Sequence, residues 1–396
     1  MADKKNAAIL RGVAAAAFLG PFTQTVYTPS LPELQTFFAV NAVLANLTIS
    51  LFTAILAVSN FVVGPAADAW GRRSVLLPGL AVFCAGSLLC LVSASYAGFL
   101  TGRAIQAIGI STALVIAPTV IGDLYAPAER AHAMSVIQTV TFLGPVFGPV
   151  IGGLIAAHLR WQWAFALLAS AAALAWAYNY RTLKETRSPT AQAAPFELRT
   201  FRGIVANRSA RAILLIGFSQ FYGYYVFLVF LPELLASRFA LSTAVTGFFF
   251  VPLTAGILVG VFVGRAWQRR WSRTRILVTS SFAIALDVLG LWAALAAGLV
   301  DLRLLAAFLL GYGLLLGCSL PVQSTILVNL FTRERGTAVG LYNAFRFTGA
   351  AIGPLLGGLV GITLGVNAVF LTVGMLLAAA AAMIARDLRD PFERAG

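Results

Sequence analysis

Gly148-Pro149-Val150-Ile151-Gly152-Gly153 returns 205 residues later as Gly353-Pro354-Leu355-Leu356-Gly357-Gly358. Glu129-Arg130 returns at the same offset as Glu334-Arg335, and Leu31-Pro32-Glu33-Leu34 returns at an offset of 200 as Leu231-Pro232-Glu233-Leu234. Matched pairs in the same order, about half a chain apart, predict two copies of one unit. The runs between them say what the unit is. Of 396 residues, 60% are apolar and 11% charged, against about 25% charged in a soluble domain. Twelve apolar runs reach the about 20 residues that a bilayer-spanning helix needs. They are 8–28, 43–65, 74–94, 96–121, 132–157, 162–180, 211–231, 243–264, 276–298, 303–330, 336–361 and 366–385. In lipid only helices and closed barrels satisfy their backbone polar groups, and these runs lack the period-2 alternation of barrel strands. The expected fold is an all-α integral membrane protein. It has 12 transmembrane helices in two pseudo-symmetric six-helix bundles, 1–180 and 211–396, joined by a polar connector at 181–210 that contains Pro189 and Pro195. Two parallel bundles can rock about a midplane site and open it to each side in turn.

Charge orients the chain. Of 28 Lys and Arg, twenty-three fall in the terminal segments, loops and adjoining span ends on the side of the N-terminus. Three lie opposite (Arg160, Arg238 and Arg303), and Arg103 and Arg346 fall inside spans. This asymmetry places both termini in the cytoplasm. Despite a net charge of +14, no concentrated basic domain exists, so nucleic acid is not an expected partner. Cys84, Cys90 and Cys318 lie inside predicted spans and imply no disulfide framework. No cleavable signal is expected ahead of the first span. An alanine- and arginine-rich, lysine-poor composition points to a high-GC bacterium, hence a multi-pass inner-membrane protein.

After the second span comes Gly64-Pro65-Ala66-Ala67-Asp68-Ala69-Trp70-Gly71-Arg72-Arg73. A glycine, an acid four residues on and a Gly-Arg-Arg turn resemble the signature loop of the major facilitator superfamily, and the resemblance covers nearly the whole chain. It implies a gate. Asp68 and Arg72 pair at the inner helix ends, Gly71 permits the tight turn, Arg73 flanks it, and Asp123 joins the charge cluster, bolting the halves together in the outward-open state. The loop near 264–275 is a degraded copy, keeping Gly264 with Arg269, Arg270, Arg273 and Arg275 but no acid at the Asp position. Gly102-Arg103-Ala104-Ile105-Gln106-Ala107-Ile108-Gly109 resembles the family's Arg-x-x-Gln-Gly motif, with Ala107 in place of Gly. Gly144-Pro145-Val146-Phe147-Gly148-Pro149-Val150-Ile151-Gly152-Gly153 resembles the motif of the antiporter branch and implies efflux, with plain helix packing as the alternative. Thr25-Val26-Tyr27-Thr28-Pro29-Ser30-Leu31-Pro32 resembles the end of the first helix in twelve-helix drug:proton antiporters of the bicyclomycin-resistance type. Those often carry Asp where Thr25 stands, so the proton carrier is not assigned by the resemblance.

Helical spacing gathers candidate substrate contacts: Gln24, Tyr27 and Thr28 on the first span, Gln138 on the fifth, Gln220, Tyr224 and Phe227 on the seventh, Gln323 on the tenth, and Asn343 and Arg346 on the eleventh. Arg103 and Gln106, at i and i+3, complete the set. An in-span charge is costly and marks a wet cavity or a partner; a structural ion pair or an interfacial position is the alternative for Arg103. The aromatic residues of the seventh span have an interfacial belt as theirs. Asp287 is the one acid deep inside a span, and its ninth helix is peripheral in the family, so a structural pairing is expected there. The lining is neutral and aromatic with deep cations, suiting small amphiphilic or aromatic compounds. The expected function is proton-coupled efflux of such compounds by a monomer. Export or import of a specific metabolite (an amino acid, sugar or organic anion) is the alternative. His132 and His158 lie at opposite ends of the fifth span, no nucleophile–base constellation or phosphate-binding loop is present, and no enzyme activity, metal or cofactor is expected. A receptor or scaffold would not require matched halves with a gating loop.

Overall fold

The computed structural model describes residues 2–187, 198–239 and 249–391. The described residues form helices and no strand. They run α1 (Ala2–Thr25), α2 (Leu31–Phe38), α3 (Ala42–Trp70), α4 (Arg72–Val92), α5 (Tyr96–Leu124), α6 (Pro127–His158) and α7 (Gln162–Thr182). After these come α8 (Leu198–Ala206), α9 (Arg208–Phe239), α10 (Phe250–Trp267), α11 (Arg273–Ala296), α12 (Leu302–Leu330), α13 (Arg335–Leu364) and α14 (Val366–Asp387). All but α2 and α8 correspond to the twelve expected spans. The start of the eighth expected span, and Pro189 and Pro195 in the connector, lie outside the described residues. Eleven of the long helices are apolar enough to cross a bilayer. The remaining one, α7, is alanine-rich and ends in Tyr178-Asn179-Tyr180-Arg181, which dilutes its hydropathy. Leu174, Leu355, Leu359, Val58 and Phe262 are exposed on their helices, as lipid-facing side chains must be.

Helix ends follow local chemistry. Asn41 accepts from the Leu44 amide (3.0 Å), Ser95 from the Gly98 amide (3.2 Å) and Ser272 from the Arg275 amide (3.2 Å), each satisfying an orphan donor of a first turn. The repeat is broken at one place. The Leu-Pro-Glu-Leu copy at 231–234 lies inside an uninterrupted α9, whereas the copy at 31–34 starts the separate α2 after a single 3-10 turn at Thr28–Ser30. Pro29 sits in that turn, where its missing amide donor costs nothing.

The chain divides into two compact units. The first comprises 1–201 and 331–344, the second 202–330 and 345–396, so α13 gives its first turns to one unit and the rest to the other.

In the first unit α6 lies along α1, and the antiporter-like motif makes this approach. A side-chain carbon on Gly144 would sit 2.7 Å from the Phe22 amide nitrogen; one on Gly148 would overlap Thr25, and one on Gly152 the Val26 carbonyl oxygen. The second unit repeats the device. A carbon on Gly349 would overlap the Phe218 carbonyl oxygen, and one on Gly353 would sit 2.7 Å from that of Tyr222 on α9. Gly153 and its repeat mate Gly358 face open space in both copies. The side chain of Pro149 lies outside the described residues, and Pro145 is half-buried within an α6 that continues past both prolines.

Gly152→Leu therefore overpacks the α1–α6 seam and is expected to destabilise the protein by about 1–3 kcal/mol, while Gly153→Leu leaves it unchanged. Thermal unfolding of both variants in one detergent checks this; equal melting temperatures would show that the motif does not set the packing.

Candidate functional site

Three polar clusters are built inside these units. The first lies where α3 meets α4. Gly71 between them has φ +97°, and a side chain there would overlap the Glu185 carboxylate. The turn brings Arg72 back onto its own helix end. Arg72 donates through NH1 to Asp68 Oδ1 (3.0 Å) and to the Ala67 carbonyl (2.7 Å), and through Nε to Asp123 Oδ2 (2.9 Å) on α5. Asp68 is buried and has further partners from the start of α13. Oδ1 accepts from the Gly336 amide (2.9 Å), and Oδ2 from the Thr337 amide (2.7 Å) and hydroxyl (2.8 Å). The first-turn amides of a helix are its positive end, so an anion belongs there. Arg335, also at the start of α13, donates to Asp123 Oδ1 (2.8 Å). Gly64 and Gly336 let the two backbones touch, because a carbon on either would lie 2.6 Å from the other's carbonyl oxygen. Of the expected gating residues, Asp68, Arg72 and Asp123 are thus one hydrogen-bonded group, Gly71 forms the turn that closes it, and Arg73 follows that turn.

Sequence reading missed the strap that closes this group. Glu185, just past α7, accepts from the amides of Arg72 (2.9 Å) and Arg73 (3.2 Å) and so caps α4 from a distance. Thr186 donates to Asp123 Oδ2 (3.1 Å), Arg187 to the Ala69 carbonyl (2.6 Å), and Arg73 to the Leu183 carbonyl while stacking over Tyr180 at 5.0 Å. The signal was present. The 205-residue offset carries Glu185 onto Asp390, the acid after α14. Asp390 meets Arg273 at 2.6 Å and Asn329 at 3.3 Å. The degraded loop of the second half therefore takes its acid from the segment behind its last helix.

The second cluster is the buried core of the first unit. Arg103 is 0% exposed and its guanidinium lies over the rings of Tyr27 (4.5 Å) and Phe52 (4.3 Å). It donates to Gln106 Oε1 (2.7 Å), and Gln106 donates to Ser87 (2.7 Å) on α4. Among the described residues no carboxylate pairs with Arg103, and its Nε and NH2 have no hydrogen-bond acceptor. Ring stacking stands where the ion pair was weighed for Arg103. Tyr27 and Thr28 lie past the end of α1 at Thr25, so they do not share a helix face with Gln24 as expected. The Tyr27 hydroxyl meets Thr48 at 2.8 Å, Thr28 bonds back to the Thr25 carbonyl (2.8 Å), and Gln24 is half-buried. Gln138 is buried on α6, and Asn343 donates to the Leu114 carbonyl (3.1 Å).

The third cluster lies in the second unit. Gln220 Oε1 accepts from Gln323 (2.8 Å) and Ser319 (3.1 Å), and Tyr312 donates to the Gln220 carbonyl (2.9 Å). Arg346 stacks on Phe221 at 3.9 Å, and Phe221 neighbours Tyr224 and Tyr225. Phe227 packs between Tyr312 and Phe370. Phe221, Tyr224 and Phe227 are buried, so the belt reading is corrected: these rings pack against polar groups in the interior. Asn343 and Arg346, expected together on one helix, fall in different units.

A family model described as Major Facilitator Superfamily matches residues 13–315 and 288–395. The chain belongs to the Major Facilitator Superfamily. That superfamily is one of multi-pass membrane transporters. Among relatives in this superfamily, the MFS-type transporter tstD of Talaromyces stipitatus is 31% identical over 150 residues, 38% of this chain and 27% of that one. The match thus spans about a quarter of that transporter's length. The multidrug resistance protein MdtL of Escherichia fergusonii is 30% identical over 194 residues, 49% of each chain. The crystal structure of the human organic anion transporter MFSD10 aligns with a TM-score of 0.79 at 20% identity, covering 96% of this chain and 99% of that one, which establishes the shared superfamily fold.

Replacing Glu185 by alanine removes a cap worth about 1 kcal/mol. Amide exchange at Arg72 and Arg73 is expected to quicken about fivefold, with a smaller effect for Glu185→Gln. Hydrogen-exchange mass spectrometry over 66–76 reads this, and unaltered exchange would remove the strap from the gate.

Proposed function

We propose that this superfamily member exports small amphiphilic or aromatic compounds in exchange for protons. The reading rests on the third cluster. Gln220, Gln323 and Ser319 offer neutral donors and acceptors, Phe221, Tyr224 and Phe227 offer ring faces, and Arg346 lies over one of them. Such a set takes a flat, weakly polar ligand by stacking plus one or two hydrogen bonds. Gln24, Thr28, Gln138 and Asn343, with the stacked Tyr27, Arg103 and Gln106, are the candidate contacts of the first unit. The glycine run on α6 supports export, and a multidrug resistance protein among the relatives agrees with it. The acidic–basic group around Asp68 would hold one state of the cycle and break to reach the other. On the same reading the protein is a monomer in a bacterial inner membrane with 1–180 and 211–396 as its moving halves. The excess of basic residues on one side puts both termini in the cytoplasm.

Export or import of an organic anion or another metabolite is the second reading, favoured by the buried cation Arg346, which a carboxylate could replace Phe221 in pairing.

A sensitivity panel of aromatic dyes, neutral antibiotics and organic anions, run on cells overexpressing the chain, separates the two. The export reading predicts lower ethidium accumulation that a protonophore restores. It also predicts that Phe221→Ala weakens the effect about fivefold, equivalent to about 1 kcal/mol of stacking. Resistance confined to organic anions, or accumulation indifferent to the protonophore, would reject it.

A further inference from the structure

Asp287 stands fourteen residues from the start of α11 and nine from its end, about 14 Å from the nearer end at helical rise. The ion pair expected for it is absent among the described residues, and its Oδ2 meets no hydrogen-bond donor there. Every packed element agrees. On α11 the other ionisable side chains are Arg273 and Arg275, at the far end. From Val366 to Ala385, α14 carries none. On α12, which faces the acid, Arg303 lies eight residues before Gly311, about 12 Å away along the axis. Tyr312 and Cys318 are the remaining ionisable side chains of that helix. The carboxylate enters at Gly311, because a side-chain carbon there would sit 2.6 Å from Asp287 Oδ1. Asp287 is half-buried, and an ionised carboxylate whose inner oxygen meets neither cation nor donor is costly at this depth along a membrane-spanning helix.

The position also has a place in the repeat. The 200-residue offset that carries Arg73 onto Arg273 carries Ser87 onto Asp287. Ser87 faces the fourth long helix of its half through Gln106, and Asp287 faces the fourth long helix of its own at Gly311.

Resting on the proton-exchange reading, we propose that Asp287 is the proton-carrying acid, loaded in this conformation and coupled to the Gln220 cluster through α12. That helix presents Gly311 to the acid, and it presents Tyr312, Ser319 and Gln323 to Gln220. A shift of α12 that opens the Gly311 seam to water also rearranges the bonds around Gln220. In the open seam the carboxyl O–H bond breaks, the proton passes to water and the carboxylate remains; reloading adds one proton to the same oxygen before the seam closes. One proton therefore crosses per cycle, and occupancy of either site biases the same helix.

The experiment is ethidium movement in inverted vesicles, with and without an imposed proton gradient, for wild type, Asp287→Asn and Asp287→Glu, alongside infrared difference spectra of the purified proteins across a pH titration. Asparagine imitates the loaded acid in shape and hydrogen bonding, so the variant should fold and still equilibrate ethidium down its own gradient. Its uphill accumulation should fall about tenfold, the size of a typical coupling between sites, and glutamate should restore part of it. The wild-type spectrum should contain a protonated-carboxyl band at neutral pH that is missing from Asp287→Asn. Gradient-driven accumulation by Asp287→Asn equal to wild type, or the absence of that band, overturns the assignment while leaving proton exchange intact. Wild-type movement that ignores the gradient overturns both the exchange reading and the assignment.

Discussion

One buried carboxylate carries the first unit. Asp68 gathers four donors: the guanidinium of Arg72, two backbone amides at the start of α13, and the Thr337 hydroxyl. Each of its neighbours answers to it. Gly71 adopts a left-handed turn so that Arg72 can return to it, and Gly64 and Gly336 lack side chains so that α13 can present its amides. Asp123 takes the remaining face of Arg72 and receives Arg335 in turn. Losing one member of a buried ion pair costs about 3–5 kcal/mol, because the partner left behind has no water to turn to. The arrangement is therefore costly to break one partner at a time.

The two halves use the repeated scaffold for different chemistry. Both pack the fifth long helix of a half against its first through glycines, at Gly144, Gly148 and Gly152 in one and at Gly349 and Gly353 in the other. The first half buries Arg103 between two rings and Gln106, whereas the second sets Arg346 on Phe221 beside a glutamine–serine network. Both guanidiniums lie on aromatic faces, and for Arg103 no carboxylate pairs with it among the described residues. Ring faces hold a guanidinium by quadrupole attraction and can exchange it for a ligand without leaving a bare carboxylate. The acid Asp287 is placed instead on a helix that shares α12 with the polar network.

The helices and their order were legible in the sequence because apolar runs of bilayer length have few alternative structures. The charged turn was legible because Asp68, Gly71 and Arg72 are close in sequence and its spacing is local. Contacts across the fold were harder to read. Ser87, Ser319, Tyr312 and Phe52 complete the clusters through side chains whose meeting depends on helix rotation, and no periodicity announces that. Asn343 and Arg346 lie three residues apart, yet the helix that carries them leaves one unit for the other between them. Glu185 could have been found, since the 205-residue offset pairs it with Asp390, but acids in loops read as solvated charges until the repeat is extended to them. The short α2 and α8 fell below the length at which apolar periodicity is recognisable.

The central claim is that Asp68 controls the passage between states without touching the ligand. The most direct test measures ethidium exchange across proteoliposomes and ethidium binding by fluorescence anisotropy on the same preparation of Asp68→Asn. The account predicts that exchange falls at least about tenfold, given the cost of breaking a buried pair, while binding affinity stays at the wild-type value. Exchange at the wild-type rate would contradict it.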